Sequence, residues 1–246
     1  MMVVMSASDA LCVRSLGPDL HIVEGPTVSF YGAPYPTRMV VVRLPDGGLW
    51  VWSPVALDAA VRAWIDGLGP VAHLVSPNKI HHLSLGPWKE AYPNARLHAS
   101  PGLRKRRPEL AFDAELGDAP DPAWTDVIDQ CVFAGSVVLE EVVFFHRPTA
   151  TLIVADLIEN FGAETLGGWF GGLARIAGIV APDGMAPLDF RLSFIRRGRA
   201  RASFDRVVAW EPRNIVMAHG EIVIDGGVAA LRHHFRWLAG SGSGSG

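Results

Sequence analysis

The stretch that decides the fold runs Val71-Ala72-His73-Leu74-Val75-Ser76-Pro77-Asn78-Lys79-Ile80-His81-His82-Leu83. Its first five residues form an apolar run typical of a buried strand, and the loop after that strand offers two adjacent imidazoles. A strand fixes the backbone while a loop aims the rings, so this arrangement suits a metal site. Two further candidate ligands follow apolar strands of their own, Asp156 after 151–155 and His219 after 215–218. Because α/β folds place their chemistry at the carboxyl ends of strands, we predict that these side chains converge.

Composition limits the class of protein. The chain has 246 residues, of which 49% are hydrophobic and 19% charged, so it can bury a large core as one domain. We assign that domain to 1–240 and regard the Ser-Gly repeat at 241–246 as a linker or tag remnant. Two cysteines, no signal peptide and no apolar run of membrane-spanning length favour a cytoplasmic protein without a membrane role. The net charge of -3 gives no reason to expect nucleic-acid binding, although 104–107 is a basic cluster.

Two groups of strands, each followed by helices, predict the architecture. Strands at 39–44 and 49–53 flank a Pro-Asp-Gly-Gly turn as a hairpin, and a helix at 57–68 leads into the strand before His81. Further strands are expected at 127–133, 137–145 and 151–155, and further helices at 86–92, 101–107, 201–209 and 228–238. We therefore predict an α/β fold in which two sheets pack together with helices outside.

The last predicted hairpin decides which residues lie opposite Asp156. If 142–145 pairs with 151–153, His146 lies at the turn, roughly 15 to 20 Å from Asp156, because a strand rises about 3.3 Å per residue. His146 is therefore a poor candidate ligand despite its type.

The residues opposite Asp156 are then Glu140 and Glu141. Either carboxylate could complete a second metal site, act as a general base or support an imidazole; a solvated acidic pair is the alternative. Glu159, one helical turn beyond Asp156, is a weaker candidate for the same roles.

The order of several short motifs resembles the metallo-β-lactamase superfamily, and more closely its divergent branch DUF4336. The motifs are Thr37-Arg38-Met39 through Ser53-Pro54, Ile80-His81-His82-Leu83, and Thr151-Leu152-Ile153 through Asp156-Leu157. The resemblance covers most of 15–238 and implies a four-layer αββα sandwich with metal ligands along one sheet edge.

Within this resemblance, Pro77 and Lys79 stand where the superfamily has its first two loop histidines, which implies that the first metal site is damaged. The residues that map onto the second site are His81, His82, Asp156 and His219. Such a set suits Zn²⁺, as one or two ions, with Mn²⁺ or iron as alternatives. Ser53-Pro54 replaces an early aspartate that commonly orients a ligand histidine, which fits a remodelled first site.

Ligands and resemblance together predict a metal-dependent hydrolase of a small ester, lactone or phosphoester. Asp156 would hold the metal, Glu141 would assist as a ligand or catalytic carboxylate, and Lys79 would stabilise the developing oxyanion. The glycine-rich helix around Trp169-Phe170 would favour an apolar small-molecule substrate or dock on a second copy of the chain as a homodimer. Two alternatives stay open: a non-catalytic binding protein with a degenerate or structural metal site, and a redox protein with a non-haem iron pair.

Overall fold

Seven strands hydrogen-bond in chain order to form the first sheet of the computed structural model, which describes residues 11–30, 33–162 and 168–239. The strands are β1 (Val13–Ser15), β2 (Leu20–Phe30), β3 (Ala33–Arg43), β4 (Leu49–Trp52), β5 (Val71–Val75), β6 (Arg96–Ala99) and β7 (Ala114–Glu115). The first four pair antiparallel, which confirms the predicted hairpin as β3 and β4, and β4 to β7 pair parallel. The sequence did not predict β2, because a register shift between Gly25 and Val28 interrupts its alternation.

Helices on the outer face of the first sheet form its crossover connections. They are α1 (Ala59–Leu68), α2 (Leu85–Ala91) and α3 (Leu103–Arg106). α1 begins where the Asp58 carboxylate accepts the Val61 N–H at 2.8 Å, which caps the first turn. Its inward residues Val61 and Ile65 are buried in one cluster with Leu74 of β5. This packing fixes β5, whose carboxyl end carries the loop with His81.

Four strands form the second sheet, in the order β11, β10, β9, β8. Their bounds are β8 (Ile128–Phe133), β9 (Glu141–His146), β10 (Thr151–Val154) and β11 (Asn214–Met217). The predicted run of three antiparallel strands is confirmed, and β11 adds to it parallel to β10. The predicted start of β9 at 137 is wrong. Val137 and Val138 lie exposed in a loop, where the Ser136 hydroxyl accepts the Val138 N–H at 3.0 Å.

The helices of the second half are α4 (Gly168–Ala177), α5 (Leu188–Leu192), α6 (Arg197–Val208) and α7 (Gly227–His234), with 3-10 turns at Arg147–Thr149 and Arg236–Leu238. Val207 of α6 and Leu231 of α7 are buried in one cluster with Leu152 of β10, so these helices cover the outer face of the second sheet. The side chains of Trp169 and Phe170 lie outside the described residues. No helix in the described ranges is long and apolar enough to cross a membrane.

The two sheets meet face to face around large aromatic side chains. Trp50 of β4 packs edge-on against Phe144 of β9, with ring centroids 5.0 Å apart, and against Trp124 at 6.3 Å. Ile153 and Val216 of the second sheet are buried in the same cluster. With helices outside both sheets, the predicted four-layer αββα sandwich is confirmed.

Candidate metal centre

Three of the predicted ligands meet at one edge of the sandwich. His81 stands on the loop after β5, while Asp156 and His219 follow β10 and β11, so both sheets contribute through the carboxyl ends of parallel strands. One ligand atom from each residue lies within 4.8 Å of the other two. Asp156 Oδ1 is 3.5 Å from His81 Nε2 and 3.6 Å from His219 Nε2. The structure therefore brings these three together, and their binding of a metal stays a prediction.

The tautomer of His219 is set by the backbone. Its Nδ1 lies 2.7 Å from the carbonyl oxygen of Pro36, and because a carbonyl can only accept, Nδ1 carries the proton. In the neutral ring, Nε2 then directs a lone pair at the Asp156 carboxylate. Ligand histidines usually donate their second N–H to such a carbonyl. The ring is held between Tyr35, edge-on with centroids 5.1 Å apart, and Phe161, stacked at 6.5 Å.

His81 is oriented by Ser53, which stands where the resemblance expects an aspartate. The Ser53 hydroxyl oxygen lies 2.8 Å from His81 Nδ1, so it does the positioning expected of the missing aspartate. Ser53 has a φ of 48°, a left-handed conformation that a residue other than glycine seldom adopts. Ser53 therefore orients His81 at the position where the resemblance expects an aspartate.

Asn78 links the loop to the carboxylate, and sequence reasoning missed it. Its amide nitrogen donates to Asp156 Oδ2 at 2.6 Å and to Glu141 Oε2 at 3.1 Å. Its amide oxygen accepts the backbone N–H groups of Ile80, at 3.0 Å, and His81, at 3.3 Å. Asp156 Oδ2 thereby accepts from Asn78 and also lies 3.3 Å from His81 Nε2, while Oδ1 faces both imidazoles. The available signal was an amide side chain, able to donate and accept, directly after a strand in the ligand loop.

Glu141 lies opposite Asp156, as the hairpin register predicts, but its expected role as a metal ligand or catalytic base needs correction. Its two carboxylate oxygens accept the backbone N–H groups of Ala155, at 2.7 Å, and Asp156, at 2.8 Å. Together with the bond from Asn78, these contacts occupy both oxygens of a fully buried carboxylate. Burial and the Asp156 charge raise the pKa of Glu141, while the two amides oppose that rise. Glu141 therefore positions the strand end that carries Asp156.

His82 points away from the other three, so its predicted role as a ligand also needs correction. Its Nδ1 lies 2.7 Å from Arg107 Nη1, and its Nε2 accepts from Arg106 Nε at 3.2 Å. Burial and the two guanidinium charges lower the pKa of His82. The Lys79 stem lies beside Gly102, the residue that directly precedes α3.

Two more acidic residues differ in their distance from the centre. Glu159 is buried and its carboxylate accepts the Tyr35 hydroxyl at 3.3 Å. Burial and the Asp156 charge raise the pKa of Glu159 well above its usual range. Glu140 is half-buried in the segment before β9. Glu159 thus contacts Tyr35, whose ring packs against His219. Glu140 has no contact with the three candidate ligands among the described residues.

The pKa shifts in the centre favour an ionised Asp156 that faces positive charge. Burial alone would raise the pKa of Asp156, but His81 and His219 hold it below its usual range. Burial likewise opposes a charged His81, yet Asp156 raises the pKa of that imidazole. A bound metal cation would supply that positive charge without a proton on either Nε2.

The donor set fits a borderline divalent cation. A tetrahedral ion with bonds of about 2.0 to 2.1 Å holds its ligand atoms about 3.3 Å apart. The two carboxylate–imidazole distances of 3.5 and 3.6 Å need only a small contraction, and all three ligand atoms lie within 4.8 Å of one another. Two imidazoles and one carboxylate leave a fourth position for water or substrate, which is the pattern of catalytic zinc.

Comparisons with known proteins agree with this architecture. The chain belongs to the family described as a domain of unknown function, DUF4336, whose model matches residues 28–165. Its fold is that of the metallo-β-lactamases. A search of curated proteins found no match.

Three solved structures show the likeness. DIM-1 metallo-β-lactamase, exposed to ceftazidime, has a TM-score of 0.64 and 14% identity over 95% of this chain and 99% of that chain. The metallo-β-lactamase from Hirschia baltica gives 0.61 and 12% identity over 94% and 98%. The metal-soaked Flv1 flavodiiron core from Synechocystis sp. PCC6803 gives 0.64 and 12% over 93% of this chain and 61% of that chain. At these identities the likeness shows the fold alone.

Proposed function

We propose that the protein is a metal-dependent hydrolase whose centre consists of His81, Asp156 and His219. One observation carries the proposal: His219 Nε2, an acceptor in the neutral ring, faces Asp156 Oδ1 across 3.6 Å, with His81 Nε2 at 3.5 Å from the same oxygen. Acceptors that face one another in a buried site repel unless a cation stands between them. Protons could serve, but a divalent cation satisfies all three atoms at once.

The cation we propose is Zn²⁺, with Mn²⁺ or iron as the alternatives that this donor set also accepts. A bound cation would supply Lewis-acid polarisation of the scissile bond and would acidify water near neutral pH. The chain's own contribution is orientation. Ser53 and the Pro36 carbonyl fix the two rings, and Asn78 holds the Asp156 carboxylate by donating to its Oδ2. Such outer contacts keep a reactive group within the small positional error that catalysis tolerates.

The substrate we propose is a small ester, lactone or phosphoester. Lys79 precedes His81 by two residues on the same loop and is half-buried. Its ammonium group is suited to stabilise negative charge that develops on a carbonyl or phosphoryl oxygen. The two buried carboxylates Glu141 and Glu159 have positioning roles in this proposal.

An activity assay tests the proposal. The chelated chain would be reloaded with zinc, manganese or iron and assayed on carboxyl esters, lactones and phosphoesters. Metal-dependent turnover is expected in the wild type and its loss in His219→Ala. His233→Ala is the matched control, because His233 is an exposed histidine that pairs with Asp183 and is not one of the three clustered ligands. A folded, reloaded wild type without turnover on any substrate would contradict the proposal.

The second candidate is a non-catalytic binding protein. Pro77 and Lys79 stand where two ligand histidines are expected by resemblance, and the described residues hold a single cluster of three metal-ligating side chains. This candidate predicts bound metal without turnover, so the same assay separates it from the hydrolase.

A further inference from the structure

A group of cations borders the metal centre on the side of His82. The segment 104–107 reads Arg-Lys-Arg-Arg and includes the end of α3, and two of its guanidiniums reach His82, the residue next to the ligand His81. Arg107 Nη1 also lies 3.3 Å from the His82 carbonyl oxygen, so it is clamped against the loop. The Lys79 stem lies beside Gly102, which directly precedes α3, so one more cationic side chain borders this segment.

The hydrogen bonds at His82 leave donor capacity unused. A neutral imidazole has one acceptor nitrogen and one N–H, so it can accept from only one of the two guanidiniums that face it. If Nε2 accepts from Arg106, then Nδ1 carries a proton and points at Arg107 Nη1, which is itself a donor. In the other tautomer, Nδ1 accepts from Arg107 and the N–H on Nε2 faces Arg106. Either way, one imidazole N–H and one guanidinium N–H face each other and are open to an acceptor beside them.

The charges in this group are also unbalanced. Arg107 pairs with Glu109, and Arg104 lies 3.8 Å from Glu115. Within the described ranges, neither Arg106 nor Lys79 has a carboxylate within ion-pair distance. A protein with a net charge of -3 thus places uncompensated positive charge around His82, the residue that follows His81.

We propose that Arg106 and Arg107, arranged around His82, form an oxyanion-binding rim that holds a phosphate or carboxylate group of the substrate. Guanidinium groups match the two oxygens of either group with parallel hydrogen bonds. The bound anion supplies the acceptor that the His82 contacts lack. This inference rests on the proposed function, because it gives that function a substrate class: a small anionic ester whose scissile bond lies at His81 and whose charged end lies at His82.

Phosphate binding to the metal-free full-length chain tests the rim separately from the metal. Isothermal titration calorimetry with sodium phosphate, at ionic strength held constant with chloride, is expected to show saturable binding. Arg106→Gln should weaken it about tenfold, the usual cost of one charged hydrogen bond. Arg106 is exposed, so this variant should fold. Arg107→Gln is a second variant expected to weaken binding.

Arg104→Gln is the matched control on the same helix, because Arg104 donates to the Phe112 carbonyl at 2.8 Å and faces Glu115. Its phosphate affinity should stay within about twofold of the wild type. Absence of saturable binding, or equal weakening in Arg104→Gln and Arg106→Gln, would overturn the rim. Failure of the hydrolase proposal would show instead as zinc-loaded protein that binds phosphate and turns over no ester.

Discussion

Two buried histidine pairs in this molecule have nearly the same spacing and different surroundings. His73 and His98 have ring centroids 5.2 Å apart, and His81 and His219 have centroids 5.4 Å apart. The first pair hydrogen-bonds to itself, with His73 Nδ1 3.0 Å from His98 Nε2, and the Trp124 ring packs edge-on against both. The second pair shares a carboxylate and directs its Nδ1 atoms outward to Ser53 and Pro36.

The difference teaches what distinguishes a candidate ligand pair from a core pair. Proximity of two imidazoles is common to both. What the second pair adds is an anionic partner for the inward nitrogens and fixed partners for the outward ones. Burial and the neighbouring His73 lower the pKa of His98 to about 4, so the core pair stays neutral, whereas Asp156 raises the pKa of His81.

The largest expected effect is on metal affinity when the shared carboxylate is removed. Asp156→Asn should weaken zinc affinity more than a hundredfold, because it removes a ligand and its charge, and outer partners alone are worth about 10- to 100-fold. Competition with a chromophoric chelator would measure it. His98→Gln is the control and should bind zinc as the wild type does. Similar losses of zinc affinity in both variants would mean that the two histidine pairs do not differ in metal binding.

The intermediate expected effect is on the free energy of unfolding at low pH, through His98 of the core pair. His98 has a folded pKa of about 4 against about 6.5 when unfolded, so it is neutral in both states above pH 6.5. Between pH 6.5 and 4 the unfolded chain takes up the proton first. The contribution of His98 to the free energy of unfolding therefore falls as the pH drops, by about 2 to 3 kcal/mol at pH 4.5.

Urea denaturation of the metal-free chain at pH 7.5 and 4.5 would measure this loss. His98→Gln removes the titrating group, so the variant should lose less stability than the wild type over the same interval. An equal loss would mean that other groups carry the acid sensitivity and that the core pair does not resist protonation.

The smallest expected effect is on zinc affinity when an outer partner of the second histidine pair is removed. Ser53→Ala removes the hydroxyl beside His81 Nδ1 and should weaken zinc affinity about tenfold. The same chelator competition applies. Ser100→Ala is a useful control because Ser100 is also a buried serine. An unchanged affinity in Ser53→Ala would show that packing alone orients His81.

The sequence predicted most of the scaffold because periodicity and turns are local. The position of Glu141 opposite Asp156 followed from the hairpin register alone, which the pairing of Thr151 with His146 confirms. The same register places His146 at the far end of the hairpin, away from the ligands. β2 was missed because its bulge near Gly25 breaks the alternating pattern.

The site was harder to predict because adjacent loop residues give no sign of where each ring points. His81 and His82 look alike in the sequence, yet one faces Asp156 and the other faces Arg107. Ser53 was discounted because it is not an aspartate, although a hydroxyl can make the same contact with a ring nitrogen. Such long-range hydrogen bonds depend on the packed fold.

Metal content tests the central claim most directly. The purified chain and His219→Ala would be chelated, reloaded with zinc, desalted and analysed by plasma mass spectrometry beside circular dichroism for folding. We predict about one zinc ion per wild-type chain and almost none in the folded variant, since a site of three protein ligands loses one of them. A folded wild type that retains no zinc, manganese or iron, or a variant that retains as much as the wild type, would contradict the account.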